Sequence, residues 1–282
     1  MNLQELYNLG KEKFKNANFQ FPDIESRTIL QQVLNKDLTY IYTNPQKLIN
    51  KAQIDKFNDL ADRRLNGEPY AYIKGKKEFY SREFTVNPDV LIPRPETELL
   101  VEEALKLIKK YKNPTVLDLG TGSGCIAVTL ASEFYKMNMY ASDTSFKALL
   151  TAITNSKLNN CSDKINFINS NLLTCFDSCS FDIIISNPPY ISEEDFKNIQ
   201  NEVKDHEPKS ALLSGKKGLD HLTEIVNKSF SILKNNGWCI LEVGYNQSAK
   251  VEKMFLDNGF INIQTIEDLN NIGRVVRAQC KK

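Results

Sequence analysis

Histidine, tryptophan and net charge are the scarce quantities in this sequence. Its 282 residues hold two histidines, His206 and His221, and one tryptophan. The six cysteines, Cys125, Cys161, Cys175, Cys179, Cys239 and Cys280, are scattered and form no CxxC pair. With so few partners for a ligand set, no metal site is expected. Lys and Arg number 36 and Asp and Glu 35, a net charge of +1. No global basic field therefore argues for stable nucleic-acid binding, although a local basic face is not excluded. No apolar run approaches the ~20 residues that a membrane-spanning helix needs; the longest, 181–186, is strand-sized. Residues 1–10 are polar, carry Glu5 and lack the basic start and apolar core of a signal peptide. Without an export signal the cysteines read as reduced thiols, so a cytoplasmic location is expected.

What is present is ordinary for a folded protein: 41% hydrophobic and 25% charged residues. The length fits two domains. Residues 1–75 read as a small helical bundle. Leu3, Leu6 and Leu9 open one amphipathic stretch. Pro22 starts another, carried by Ile24, Ile29, Leu30, Val33 and Leu34, and Ile54 to Leu65 mark a third, stopped at Gly67 and Pro69. Residues 76–93 read as a linking β-hairpin. From 94 to 282, short apolar strands alternate with helical stretches, the pattern of a parallel sheet covered by helices. Two closing strands after the last helix imply one antiparallel strand at the end.

Two loops carry the chemistry. Asp118-Leu119-Gly120-Thr121-Gly122-Ser123-Gly124 lies between the first strand of that region and its helix. Glycines permit a tight turn and close approach of a ligand, and the following helix offers free amide hydrogens. The spacing is neither the dinucleotide fingerprint nor a P-loop. The acid at 118 would repel a pyrophosphate but could accept from a ligand's ammonium group, which suits a cofactor bearing an amino acid. Asp143, at the end of the next strand, stands where an acid commonly holds ribose hydroxyls; a packing turn and a solvated aspartate are the alternatives.

The second loop is Asn187-Pro188-Pro189-Tyr190, after the apolar strand 181–186. Two prolines fix φ and remove two donors, leaving a stiff loop at a strand's C-terminal end, where open parallel sheets bind ligands. The Asn187 side-chain oxygen and the Pro188 carbonyl can accept from a planar NH2 group, and Tyr190 can stack on it. A proline-rich turn without function is the alternative. His206, sixteen to nineteen residues beyond this loop, is a further candidate base, with a surface histidine as the plainer reading.

With these motifs, the chain resembles the release-factor glutamine methyltransferases, the HemK or PrmC family. Further matching pieces are Gly67-Glu68-Pro69, Ala71-Tyr72-Ile73, Leu91-Ile92-Pro93-Arg94-Pro95-Glu96-Thr97-Glu98 and Glu242-Val243-Gly244 with Gln247. The segment from Pro93 to Glu98 is the most selective, while Asn-Pro-Pro-Tyr is shared with adenine-N6 methyltransferases. The resemblance implies a Rossmann-like seven-stranded α/β methyltransferase domain behind a helical, substrate-docking domain. It also implies S-adenosylmethionine as cofactor, S-adenosylhomocysteine as product, and N5-methylation of the glutamine in the Gly-Gly-Gln motif of class I peptide chain release factors. Gly120, Thr121, Gly122, Ser123, Gly124, Asp143, Asn171, Leu172 and Asn187 would then line the cofactor. Asn187, Pro188, Pro189 and Tyr190 would form the substrate pocket, with Asn187, Pro188 and Tyr190 at the reacting nitrogen. One departure is Asn171, where the family usually has an acid, with Leu172 where an aromatic is common; an asparagine oxygen accepts without charge assistance.

Arg94, Glu96 and Thr97 stay ambiguous between a helix start and a cover for the cofactor's methionine end. Two other functions compete: adenine-N6 methylation of RNA or DNA, in which a flipped base offers the same NH2 group, and a cofactor-binding scaffold without turnover. A monomer is the default state.

Overall fold

The structure, a computed structural model, describes residues 1–282. In chain order the helices are α1 (Leu3–Asn16), α2 (Pro22–Leu34), α3 (Leu38–Thr43), α4 (Lys51–Leu65), α5 (Tyr70–Lys74), α6 (Thr97–Ile108), α7 (Cys125–Glu133), α8 (Phe146–Leu158), α9 (Asp195–Asn198), α10 (Asn201–His206), α11 (Asp220–Ile232) and α12 (Ser248–Asp257). The strands are β1 (Lys76–Phe79), β2 (Arg82–Thr85), β3 (Thr115–Leu119), β4 (Asn138–Asp143), β5 (Ile165–Asn169), β6 (Phe181–Ser186), β7 (Leu233–Glu242), β8 (Ile261–Glu267) and β9 (Gly273–Gln279).

Two compact units divide the chain. One holds 1–74 together with 201–206, the other 75–200 and 207–282. In the first, local sequence sets the helix starts. Asn2 with Glu5 and Asn50 with Gln53 form reciprocal capping boxes for α1 and α4, and Pro22 opens α2. Leu9 and Ile24, expected on apolar stripes, are exposed instead. The reason is that α1 and α2 meet along small residues: a Cβ on Gly10 would stand 2.4 Å from Phe57 Cζ and 2.5 Å from Ser26 Oγ. Ser26 Oγ donates to the Tyr7 carbonyl there (2.8 Å). The helix α10 joins this unit through Arg64, which grips Glu25 with Nε (2.9 Å) and Nη2 (3.1 Å) and reaches Glu202 with Nη1 (3.0 Å). That membership was not legible from a segment so far along the chain.

The second unit is a seven-stranded sheet in the order β5-β4-β3-β6-β7-β9-β8, all parallel except β9, which runs antiparallel to both neighbours. Alternate residues of the central strands enter two cores. Val116, Ile183, Ile185 and Ile240 face one with α6 and α7, whereas Leu117, Leu119, Ile184 and Leu241 face the other with α11 and α12. Burial on both faces explains why these strands read as continuous apolar runs.

The hairpin at 76–93, expected as a link, packs as part of this second unit. Tyr80 and Ser81 both take positive φ (49° and 56°), the conformation of a tight two-residue turn between twisted strands. Phe79 and Phe84 are buried in the core of α6 and α7. Buried Asn155 on α8 accepts from the Thr85 amide (2.7 Å) and donates to the Thr85 carbonyl (2.9 Å).

Candidate active site

The chain order reverses beside β3, whose neighbours are β4 and β6, and an open parallel sheet has its crevice at such a point. Leu119 pairs with Ser186 in the register, and Ser186 Oγ donates to the Leu119 carbonyl (2.6 Å). The two loops singled out in the sequence therefore leave the sheet side by side. Between them lies a cleft lined by Gly120 to Ser123, Asp143, Asn171, Leu172, Asn187 and Pro189, with Asp89 to Leu91, Pro93, Arg94 and Thr97 on another wall.

The glycine loop is held by its backbone. Gly120 and Thr121 amides both donate to the Ser142 carbonyl (2.8 and 2.9 Å). Gly120 and Gly122 have positive φ, and no heavy atom lies within 4 Å of where a Cβ would stand. Their bare backbone is thus open to a ligand, a cradle that any side chain would begin to fill. Gly124 differs. It does not line the cleft, and a Cβ there would stand 2.9 Å from Ala152 Cβ, so its role is close packing of α7 on α8.

Asp118 is fully buried beneath the loop. Its Oδ2 accepts from Thr121 Oγ1 (2.6 Å) and the Ala127 amide (3.1 Å), tying the loop to the first turn of α7. Its Oδ1 has no partner. Burial pushes this carboxyl up to about 7, against the two hydrogen bonds that favour its charge. Asp143 lines the cleft, with Oδ2 accepting from the Gly122 amide (2.9 Å) and Oδ1 from the Ser145 amide (2.8 Å). Burial raises its pKa as well, opposed by these backbone donors. Leu172 adopts positive φ (46°), a strained conformation for a branched residue and one that concentrates at ligand sites.

On the other side, Asn187 donates from Nδ2 to Thr97 Oγ1 (3.0 Å). Pro188 is buried, and neither it nor Tyr190 is among the cleft-lining residues. The Tyr190 ring, expected to stack on a substrate, packs instead against the core of α11 and α12, and its hydroxyl reaches Glu242 Oε1 (3.4 Å). Burial drives the phenol well above its ordinary value. Gln247 completes the support: its Nε2 donates to the Tyr190 and Gly218 carbonyls (3.0 and 3.1 Å), and its Oε1 accepts from the Gly244 amide (2.9 Å).

Two features were not found from the residues alone. Glu207, whose side chain is 1% exposed, accepts from Arg94 Nη2 (2.5 Å) and the Ile92 amide (3.1 Å), pinning the wall that carries Pro93 and Thr97. His221 lines the cleft and shares a hydrogen bond with Ser214 Oγ (2.9 Å). His206, the candidate base, lies in the helical unit with Nε2 on the Asn66 carbonyl (3.2 Å) and does not line the cleft. The Pro-Arg-Pro-Glu-Thr-Glu segment was the available signal for Arg94 and Thr97; none pointed to Glu207 or His221.

Comparison with known proteins agrees with this arrangement. Residues 5–75 match the PrmC N-terminal domain and residues 95–208 the methyltransferase small domain. The bifunctional methyltransferase of Rickettsia prowazekii is 38% identical over 97% of the chain, which spans only 56% of that protein's length. The release factor glutamine methyltransferase of Koribacter versatilis is 37% identical over 98% of both chains. Among solved structures, the T. thermophilus 16S rRNA N2 G1207 methyltransferase, determined with AdoMet and guanosine, shares the fold with a TM-score of 0.54 at 20% identity, over 73% of this chain and 50% of that one. The motifs, the seven-stranded sheet and the near-full-length identity agree: this chain belongs to the release factor glutamine methyltransferase family.

Proposed function

We propose that the protein transfers a methyl group from S-adenosylmethionine to the side-chain amide N5 of the glutamine in the Gly-Gly-Gln motif of class I peptide chain release factors. The observation that carries this reading is the juxtaposition of an open glycine cradle and an asparagine amide across one cleft. The cradle fits the cofactor: bare backbone at Gly120 and Gly122, and an acid at Asp143. Asn171 and Leu172 would flank the adenine, with the Asn171 oxygen as a neutral acceptor. When bound, S-adenosylmethionine supplies an electrophilic methyl group and leaves as S-adenosylhomocysteine.

The residues of this chain do the rest by orientation and electrostatics. An amide nitrogen is a weak nucleophile because its lone pair is delocalised. Acceptors at Asn187 Oδ1 and the Pro188 carbonyl would hold the glutamine NH2 group, aim the nitrogen and stabilise positive charge as it develops. No strong base is required, since the proton can leave after transfer. Tyr190 supports the loop from beneath.

The test is methyl transfer from S-adenosylmethionine to a purified class I release factor, followed by peptide mass mapping. A methyl group on the Gly-Gly-Gln glutamine, absent when that glutamine is replaced, is the expected result. Transfer to RNA or DNA instead would assign adenine-N6 methylation; cofactor binding without any transfer would assign a scaffold.

A further inference from the structure

A carboxamide carries two N–H donors and one acceptor oxygen. The groups offered above to the substrate, Asn187 Oδ1 and the Pro188 carbonyl, answer only its donors. Pro188 and Pro189 have no backbone N–H, and the Asn187 NH2 group is spent on Thr97 Oγ1 (3.0 Å). The amide oxygen needs a donor from another element.

His221, in the first turn of α11, lines the same cleft. Its ring is held by Ser214, which is fully buried. Ser214 Oγ accepts from the His221 amide (3.0 Å), one of those a helix start leaves free, and shares a hydrogen bond with His221 Nδ1 (2.9 Å). No other group of the chain bonds that hydroxyl, so the acceptor for its single proton is Nδ1. A neutral ring that accepts at Nδ1 carries its hydrogen at Nε2. The other tautomer would leave a buried hydroxyl proton unpaired. No hydrogen bond of the chain engages Nε2, and the atom is not sealed in the interior.

Two ties brace this histidine to the Asn-Pro-Pro-Tyr loop rather than to the glycine loop. The Ser214 amide donates to the carbonyl of Ile191, the residue after Tyr190 (2.9 Å), and the Ile191 amide donates to the Leu212 carbonyl (2.9 Å). Gln247 Nε2 joins the Tyr190 carbonyl to that of Gly218, three residues before His221 (3.0 and 3.1 Å).

We propose that His221 is a substrate-binding residue whose Nε2–H donates to the side-chain amide oxygen of the glutamine, with Ser214 as the positioning residue that fixes its tautomer. This rests on the glutamine-methylation reading above. Donation to the oxygen draws the nitrogen lone pair toward the carbonyl, so the contact serves binding and orientation and does not activate the nucleophile. Its loss therefore falls on KM rather than on kcat.

The test compares wild type with His221→Phe, His221→Gln and Ser214→Ala in steady-state methylation of a class I release factor. His221→Phe keeps a planar ring without the donor, and should raise KM for the release factor about 10-fold while kcat changes by less than about 3-fold. His221→Gln, whose side chain again ends in N–H donors, should recover most of that loss. Titration calorimetry with S-adenosylmethionine alone addresses the other acceptor, the cofactor's carboxylate. His221→Phe should bind the cofactor like wild type; weaker cofactor binding with KM for the release factor unaltered would overturn the proposal. The chain has only two histidines, so 15N labelling resolves each ring. In alkaline solution, wild-type His221 should show the Nε2–H tautomer alone and Ser214→Ala a mixture of both. An Nδ1–H tautomer in wild type, or an unchanged KM in His221→Phe, would also overturn the proposal. Failure of the wild type itself to methylate a release factor would sink the glutamine reading and this inference with it; methylation by the wild type with no effect of His221→Phe would sink this inference alone.

Discussion

The two loops at the ends of β3 and β6 are neighbours in the sheet, yet different forces hold them. The glycine loop is shaped by its backbone: positive φ at Gly120, Gly122 and Gly124, and two amides on one carbonyl of β4. The Asn-Pro-Pro-Tyr loop is shaped by ring constraint at its prolines and by side chains reaching beneath it, Asn187 to Thr97, Tyr190 to Glu242 and Gln247 to the Tyr190 carbonyl. A backbone-defined loop tolerates changes of side chain but not an added Cβ. A side-chain-defined loop tolerates small steric changes but not the loss of a polar partner.

The largest effect should come from Asn187→Ala. It deletes the orienting acceptor and should cut methyl transfer by about 100-fold to 1000-fold. Single-turnover kinetics would show this, with a smaller loss of stability, about 1 kcal/mol, from the missing bond to Thr97. A drop in stability instead, with turnover preserved, would break the comparison from the substrate side.

Gly124→Ala should be the most damaging change to folding in the glycine loop. Positive φ and a contact at 2.9 Å with Ala152 together should cost about 2–4 kcal/mol in urea unfolding. Gly122→Ala, with open space around it, should cost about half as much in stability and express itself mainly in weaker cofactor binding. Equal losses of stability at the two glycines would show that strain alone, not packing, sets their roles.

Asp143→Ala joins the two kinds of support, since a side chain here holds a glycine amide. Cofactor affinity should fall by about 1–3 kcal/mol by titration calorimetry. Unchanged affinity would confine Asp143 to shaping the turn after β4.

Much of this protein was legible locally. The strands 115–119 and 181–186 stood out because burial on both faces demands unbroken apolar runs. The glycine loop was legible because its chemistry lies within seven consecutive residues, and the Asn-Pro-Pro-Tyr loop within four. Less legible were Leu9 and Ile24, whose exposure follows from a close helix crossing at Gly10 and Ser26, and Tyr190, whose ring turns inward toward Glu242. A motif names the residues but not the direction in which a side chain finds its partner.

By itself, then, the sequence determined the alternation of strands and helices, the helix caps and the two loops, because each depends on residues within a few positions of one another. Only the tertiary structure decided that Leu119 lies beside Ser186, that Glu207 pins Arg94, and that Asn187 meets Thr97. Those contacts join positions tens of residues apart, and the order of strands in the sheet brings them together.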